Sequence, residues 1–481
     1  MDQLNQKVIK ATKWSSVTEI AAKLVAPVST MVLARVLTPE AFGVLVTATM
    51  VISFAEIFTD AGFQKYIVQH EFDSKKSLYQ STNVAFISNL VMSLAILAGI
   101  TIFADEIAEL VGNKGYGLVI AISSVCIPLA AFSSIQMALY KRHFDFKTLF
   151  IVRMVGIAIP LVITIPLALI FKSYWALIGG MIALNLSNAV LLTWKSKWKP
   201  RLWFKWSLLR QMFSFTFWSM MEAVAIWLTS YIDIFIVGRM LNDYYLGLYR
   251  TSMSTVGQFI GIVTAATTPV LFSSLSRLQN DDVEFKKMFF KFQKIVGLLV
   301  IPLGVGIFIF RDLITEILLG SQWTEASYFI GLWALTSAVT IVLAHYASEV
   351  YRSKGRPLFS VLSQVIHIAF LIPTVLISIR YGYDCLCEWR SIIRLQLIIT
   401  NMIILYYLVR YTPLSMIKNI MPSLLAAAGM WAFSYLLPES DTYFVEFLYL
   451  IPCIIIYLLI ICCFPIERHI LFNLKTLLRR G

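Results

Sequence analysis

Residues 84–104 read VAFISNLVMSLAILAGITIFA, a run with no charged side chain. A helix rises 1.5 Å per residue, so about 20 such residues cross a hydrocarbon layer ~30 Å thick. The pattern recurs along the chain in fourteen blocks, at 14–36, 41–62, 80–104, 116–140, 148–171, 173–194, 212–238, 251–275, 292–310, 326–347, 357–379, 386–409, 418–437 and 443–464. The composition agrees: of 481 residues 59% are hydrophobic and only 14% charged, and the mean hydropathy is +0.77. A soluble domain would carry about a quarter charged residues. Long unbroken runs favour helices over a membrane barrel, whose strands give short alternating segments. The expected fold is an all-α polytopic membrane protein of about 14 transmembrane helices. The pattern is weakest in the twelfth block, which contains Glu388, Arg390 and Arg394, and between the fifth and sixth, divided only by Lys172 and Ser173.

A net charge of +13 raises the question of nucleic acid, and its placement answers it. With a cytoplasmic N-terminus and alternating loops, the inward segments hold 29 Lys or Arg and the outward ones 6: Lys114, Lys172, Arg239, Arg250, Arg311 and Arg380. That asymmetry is the positive-inside rule and places both termini in the cytoplasm of a multi-pass membrane protein. A nucleic-acid surface would gather its charge in one patch. The opening, with Asp2, Lys7, Lys10 and Lys13, leads into a block too long for a secretory h-region, so the first span is expected to insert and stay. Cys126, Cys453, Cys462 and Cys463 lie in spans, and Cys385 and Cys387 are too closely spaced for a usual zinc framework, so all six read as small apolar residues. No metal or cofactor is expected.

An internal repeat organises the chain. A shift of 204 residues brings Trp14-Ser15 onto Trp218-Ser219, Arg35-Val36-Leu37 onto Arg239-Met240-Leu241 and Gly43 onto Gly247. Glu19 and Glu222 miss each other by one position. Six spans separate the copies, an even number, so both enter from the cytoplasmic side and the repeat is parallel, about an axis along the membrane normal. The expected organisation is a six-helix lobe over 1–194, a basic Trp- and Lys-rich linker over 195–211, a second six-helix lobe over 212–409, and two extra helices with a basic tail over 410–481. Two pseudo-symmetric bundles with a cleft between them suit a transporter that exposes the cleft to each side in turn.

Ionisable residues inside spans are costly, at least ~2.5 kcal/mol at the bilayer centre on insertion scales, and so are candidate sites. The second span carries Thr49, Ser53, Glu56 and Asp60 at i, i+4, i+7 and i+11, a stripe that should face the bundle or water. Glu19, Lys23, Glu56, Asp60 and Arg153 fall toward the cytoplasmic end of the first lobe; Arg35, Arg239, Arg390 and Arg394 fall toward the outer side. Each has a plainer reading. Glu19 and Lys23 neutralise each other at i, i+4; Arg35 and Arg239 snorkel to headgroups; Glu56 and Asp60 form a structural pairing, with Lys23 as partner, instead of coupling transport to a proton or cation. His345 and His367 read as packing or hydrogen-bonding residues. Prolines 27, 128, 160, 166, 269, 302 and 373 permit kinks.

The first hairpin carries a resemblance. Leu-Ala-Arg-Val-Leu-Thr-Pro-Glu-Ala-Phe-Gly (33–43), Phe-Thr-Asp-Ala-Gly-Phe (58–63) and Gln-Lys-Tyr-Ile-Val-Gln-His (64–70) resemble the bacterial polysaccharide-exporter flippases of the multidrug/oligosaccharidyl-lipid/polysaccharide superfamily, in the branch of the colanic acid and teichuronic acid exporters. Gly-Arg-Met-Leu and Gly-Leu-Tyr within 238–249 resemble the second-lobe counterpart. The resemblance is strong over 10–75 and covers the rest by span count. It implies a two-lobed bundle that moves polyprenyl-pyrophosphate-linked oligosaccharide repeat units across the inner membrane, with membrane lipids and a polysaccharide polymerase as neighbours. It also implies a cationic cavity, supplied by Lys23, Arg153, Arg390 and Arg394. The embedded charges themselves add Arg35 and Arg239 as further candidate substrate contacts and Glu19, Glu56 and Asp60 as candidate ion-coupling residues.

Other functions are weighed on the residues. A multidrug antiporter driven by a cation would favour an acidic pocket, and the embedded charges are mixed with several arginines. A membrane-embedded polymerase or ligase would carry a substantial outer loop, and the longest loops are about 20 residues. No G-x-x-x-x-G-K-[ST] phosphate loop occurs. A transporter is expected, and not an enzyme.

Overall fold

The computed structural model describes residues 22 and 25–477 except 61, 202, 439 and 441. Among them there are helices and turns and no strand. In a hydrocarbon layer every backbone N–H and C=O must be satisfied within its own segment, which helices do and open loops do not. Among the described residues twelve helical stretches are long and apolar enough to cross a membrane. Val25–Val36 (α1) is the described part of the first expected block. The thirteenth block is a 22-residue helix, Pro413–Ser434, of spanning length but less apolar than the twelve.

By contact the chain divides into two compact units, Met1–Arg250 and Thr251–Gly481. The first contains α1, α2 (Pro39–Asp60), α3 (Phe63–Gln69), α4 (Lys75–Ile102), α5 (Ala104–Leu110), α6 (Gly117–Ser123), α7 (Cys126–Arg142), α8 (Phe146–Ile159), α9 (Ile165–Phe171), α10 (Trp175–Lys195) and α11 (Trp206–Met240). Its hub is α7, packed on α2, α3, α4, α8 and α10. Small residues allow that close packing: Ala131, Ser133, Ser134 and Ala138 of α7 are all buried. The expected 116–140 span is broken between α6 and α7 at Ser124–Val125. Pro128 explains the break, because it has no N–H for the Ser124 carbonyl and its ring crowds that oxygen. Between α8 and α9 lies a π-turn, Pro160–Thr164, where Pro160 again removes a donor. Lys172 has φ +45°, a left-handed turn that closes the α9–α10 connection in three residues. The 195–211 segment is held by the first unit. Trp198 is buried against Phe86 and Ile135, and the Arg201 N–H donates to Asn83 Oδ1 at 3.3 Å. Helix α11 packs on α2, α3 and α4.

Helix α12 (Asp243–Arg277) leads into the second unit, made of α13 (Asp282–Ile309), α14 (Arg311–Leu318), α15 (Ala326–Thr340), α16 (Ala347–Ser353), α17 (Leu358–Ser378), α18 (Tyr383–Ile393), α19 (Leu395–Val409), α20 (Pro413–Ser434), α21 (Tyr443–Cys462) and α22 (Pro465–Leu477). Its most buried stretch runs from α15 through a π-turn, Ile341–His345, to α16, packed on α13, α18 and α19. The two extra helices dock on α13. Tyr457 of α21 donates to the Leu298 carbonyl at 3.0 Å, and Lys294 pairs with Glu467 of α22 at 2.8 Å with both side chains largely buried.

Similar helix caps recur 207 positions apart. Helices α4 and α13 are both 28 residues long, each begins at a side-chain cap (Ser74, Asp281), and each ends at a phenylalanine 207 positions from its counterpart. Phe103 has φ −103° and ψ 27°; Phe310 has φ −102° and ψ 31°. Each then opens a short helix, α5 or α14. Further on, Phe144 and Gly355, 211 apart, are both left-handed, at φ 57° and 70°. The next N–H in each copy returns to a buried tyrosine carbonyl, Asp145 to Tyr140 at 2.9 Å and Arg356 to Tyr351 at 2.8 Å.

Within the first unit the starts of α2 and α12 touch reciprocally. A Cβ on Gly43 would strike the carbonyl of Asp243, and a Cβ on Gly247 would strike the carbonyl of Pro39. Gly43 and Gly247 are 204 apart, and so are Pro39 and Asp243. Residue i on j′ with j on i′ is the signature of a local two-fold. The start of α2 and the start of α12 cross there, backbone on backbone.

Candidate functional site

Helix α2 packs on α11, with Ser53 of its polar stripe at the contact. Trp227 Nε1 donates to Ser53 Oγ at 3.0 Å, and its ring lies 4.7 Å from Phe54 and stacks on Tyr231 at 5.3 Å. Arg250 sits over Tyr231 at 5.6 Å. Glu56 is half-buried on the same helix. The Asp60 side chain, and Glu19 and Lys23, lie outside the described residues. Thr49 and Ser53 also donate back to carbonyls of their own helix, Leu45 and Met50.

The remaining cations of the first unit are dispersed. Arg153 is exposed on α8, and Arg35 is exposed near the end of α1. Arg239 is exposed at the end of α11, where Nη1 donates to the Leu110 carbonyl at 3.0 Å. That bond caps the end of α5.

The second unit brings two of the sequence-predicted arginines together. Arg390 and Arg394, one turn apart across α18, both lie against the ring of Trp333, with guanidinium carbons 4.8 Å and 3.9 Å from its centre. Arg390 is buried, and Arg394 donates to Ser337 Oγ on α15. Cation–π contact with Trp is the strongest of its kind, and it holds both guanidinium groups on one ring.

Arg394 lines a cavity of about 340 Å³ walled also by His345, Ser348, Ser363, Gln364 and Asn401. Among the described residues no carboxylate lines it. The wall is fixed by hydrogen bonds: Tyr351 Oη donates to Asn401 Oδ1 at 2.8 Å, and Asn401 Nδ2 donates to Ser363 Oγ at 3.0 Å. The π-turn at Ile341–His345 adds a residue to the helix at the cavity wall and puts His345 there. His367 bonds Gln396 Oε1 at 3.1 Å. Chemically this is a cationic, hydroxyl- and amide-lined recess, suited to an anionic polyhydroxyl ligand.

Sequence reasoning passed over Trp333 and Trp227 as apolar, and Arg142 as loop charge. Arg142 Nη1 donates to the carbonyls of Ile67, Val68 and His70 at 2.8, 3.2 and 2.7 Å and lies 4.9 Å from the Phe72 ring, closing the C-terminal end of α3. The signal for Trp333 was available: arginines at i, i+4 share a helix face and need a common partner.

A profile of the polysaccharide biosynthesis protein family matches residues 32–328. The chain belongs to this family. Among its members' relatives, the succinoglycan biosynthesis transport protein ExoT of Rhizobium meliloti (strain 1021) is 24% identical over 332 residues, 69% of this chain and 66% of that protein. The lipopolysaccharide biosynthesis protein WzxC of Escherichia coli (strain K12) is 19% identical over 328 residues, 67% of this chain and 65% of that protein. These two matches thus span just under two thirds of the relatives' own lengths. The solved lipid II flippase MurJ, in an inward closed conformation, superposes with a TM-score of 0.76 at 15% identity, covering 93% of this chain and 98% of its own. At that identity the likeness is one of fold: an all-α polytopic membrane architecture.

Proposed function

We propose that this polysaccharide biosynthesis protein moves polyprenyl-pyrophosphate-linked oligosaccharide repeat units from the cytoplasmic to the periplasmic leaflet of a bacterial inner membrane, by alternating access, for surface polysaccharide synthesis. The observation that carries the reading is the arginine pair on Trp333, with Arg394 opening onto a recess free of carboxylates among the described residues. A guanidinium in a low-dielectric wall forms short, forked bonds to phosphate oxygens, stronger than a neutral donor would. Gln364 and Ser348 offer the neutral donors and acceptors that sugar hydroxyls require, and the polyprenyl tail stays in lipid. The names of the relatives, a succinoglycan transport protein and a lipid II flippase, support the same cargo class. A carrier of cationic drugs would need the opposite charge in that wall.

In this reading Lys23, Arg153, Arg35 and Arg239 are further cargo contacts, and Glu19, Glu56 and Asp60 couple transport to an ion. The lobes 1–194 and 212–409 rock about the 195–211 linker, with 410–481 as an appendage, both termini cytoplasmic and a polysaccharide polymerase receiving the product. The test is a strain lacking the protein, analysed for lipid-linked repeat units. Accumulation of complete units on the cytoplasmic leaflet is expected, reversed by the wild-type gene. Normal polysaccharide export without accumulation would reject the function.

A further inference from the structure

A second concavity, about 840 Å³, lies at one end of the second unit. Three separated segments form it: the start of α13 with Asp282, Lys286, Lys287 and Phe290, the α16–α17 turn with Lys354 and Arg356, and the end of α19 with Leu408, Val409 and Arg410. All three fall at the ends of membrane-spanning helices, and so at the membrane–water boundary. Five cations and Asp282 therefore line the concavity around a floor with apolar patches, with Lys287 paired to Glu284 of its own helix at 2.6 Å and Lys354 to Asp282.

Scattered basic residues at span ends are ordinary, and two features set this group apart. The first is fixation. Lys354, largely buried, donates to the Gln279 carbonyl and Asp282 Oδ1, each at 2.7 Å, and lies 4.5 Å from the Phe285 ring. Arg410 is left-handed at φ 56°, a conformation that disfavours a β-carbon, and it turns the chain at once into α20. The second is the repeat. In the first copy the counterpart of Phe290 is Asn83, and there the linker folds over: Arg201 binds Asn83 and Trp198 is buried beneath. At the start of α13 Tyr411 packs 5.1 Å from Phe289 and 5.4 Å from Phe290, and Asn419 Nδ2 donates to the Phe290 carbonyl at 2.8 Å, with the cationic rim lining the concavity beside them. Arg356, Arg410, Lys286 and Lys287 remain exposed there.

We infer that this concavity binds the phosphate headgroup of an anionic phospholipid from the adjacent leaflet, with Arg356, Arg410 and Lys286 holding the phosphate and Leu408 and Val409 meeting the start of the acyl chains. Basic pockets between membrane helices take such headgroups by charge and shape together. The site is separate from the arginine–tryptophan recess; it rests on the membrane reading of the fold but not on the cargo.

The test uses the full-length protein in neutral detergent. Thermal unfolding is followed with added phosphatidylglycerol or phosphatidylcholine, alongside native mass spectrometry of bound lipid. Wild-type protein should be stabilised by phosphatidylglycerol over phosphatidylcholine, and the triple variant Lys286→Gln, Arg356→Gln, Arg410→Gln should bind phosphatidylglycerol at least about tenfold more weakly, since each surface cation contributes roughly that scale of lipid attraction. Equal stabilisation and equal lipid adducts in the variant would overturn the site. Stabilisation by inorganic pyrophosphate and not by phosphatidylglycerol would overturn the phospholipid and assign the rim to the head of a carrier lipid. Arg356→Glu alone, at an exposed side chain, decides the matter if the triple variant does not fold: unchanged binding rejects the proposal.

Discussion

At the scale of single residues, the chemistry turns on how a guanidinium is held. Arg390 and Arg394 share the Trp333 face, and Arg394 also donates to Ser337. Replacing either arginine by Ala should cut export at least tenfold while protein abundance stays near normal, measured as surface polysaccharide against immunoblot signal. Arg394→Lys should recover only part of the loss, because Lys keeps the charge and loses the fork. Full export in both Ala variants would leave the recess without a role in transport. Arg142 is the structural contrast. Its three carbonyl bonds tie α7 to the end of α3, and Arg142→Ala should cost about 1.5–3 kcal/mol of stability, read as a lower unfolding temperature in detergent; an unchanged temperature would mean the carbonyls find water instead. The two cases differ in how far they could be read in advance. Arg390 and Arg394 stood out because charge inside an apolar block is rare. Arg142 sits in a basic loop among other cations, and its partners lie more than 70 residues earlier, so nothing local marks it.

At the scale of elements, the lengths and apolar runs were legible and the interruptions partly so. Pro128 and Pro160 signalled a break and a π-turn, since a missing N–H acts on the residue four positions back. The π-turn at Ile341–His345 has no proline and no warning in the sequence; it arises where α15 must bend into α16. The crossing of α2 and α12 is the sharper lesson. Gly43 and Gly247 were visible as a repeated glycine, but only the packing explains them: each lies where the other copy's carbonyl comes too close for a β-carbon. Gly43→Ala and Gly247→Ala should each destabilise by about 1–3 kcal/mol, the usual cost of overpacking, and by similar amounts, because the two contacts mirror each other. Denaturant or thermal unfolding of both variants checks this. One tolerated and one severe substitution would remove the local two-fold.

At the scale of the whole molecule, the charge asymmetry makes a claim about the membrane that helix packing does not. Inward-assigned segments hold 29 of the basic residues and outward ones 6, and such a bias orients a chain during insertion because Lys and Arg cross the membrane poorly. The loop between α20 and α21, with Ser440, should then face the periplasm, and the segment after α10, with Lys197, the cytoplasm. In a background freed of exposed native thiols such as Cys463, Ser440→Cys should react with an impermeant maleimide added to intact cells. Lys197→Cys should react only after the inner membrane is opened. Lys197 is exposed, and the half-buried Ser440 bonds the Thr442 backbone, so abundance on an immunoblot accompanies the labelling to separate side from misfolding. The two sites are separated by an odd number of expected spans, and that parity gives the experiment its force. Labelling of both from outside would mean a miscounted span between them, whereas labelling of Lys197→Cys alone would invert the orientation and with it the direction in which the recess around Arg394 first meets its cargo.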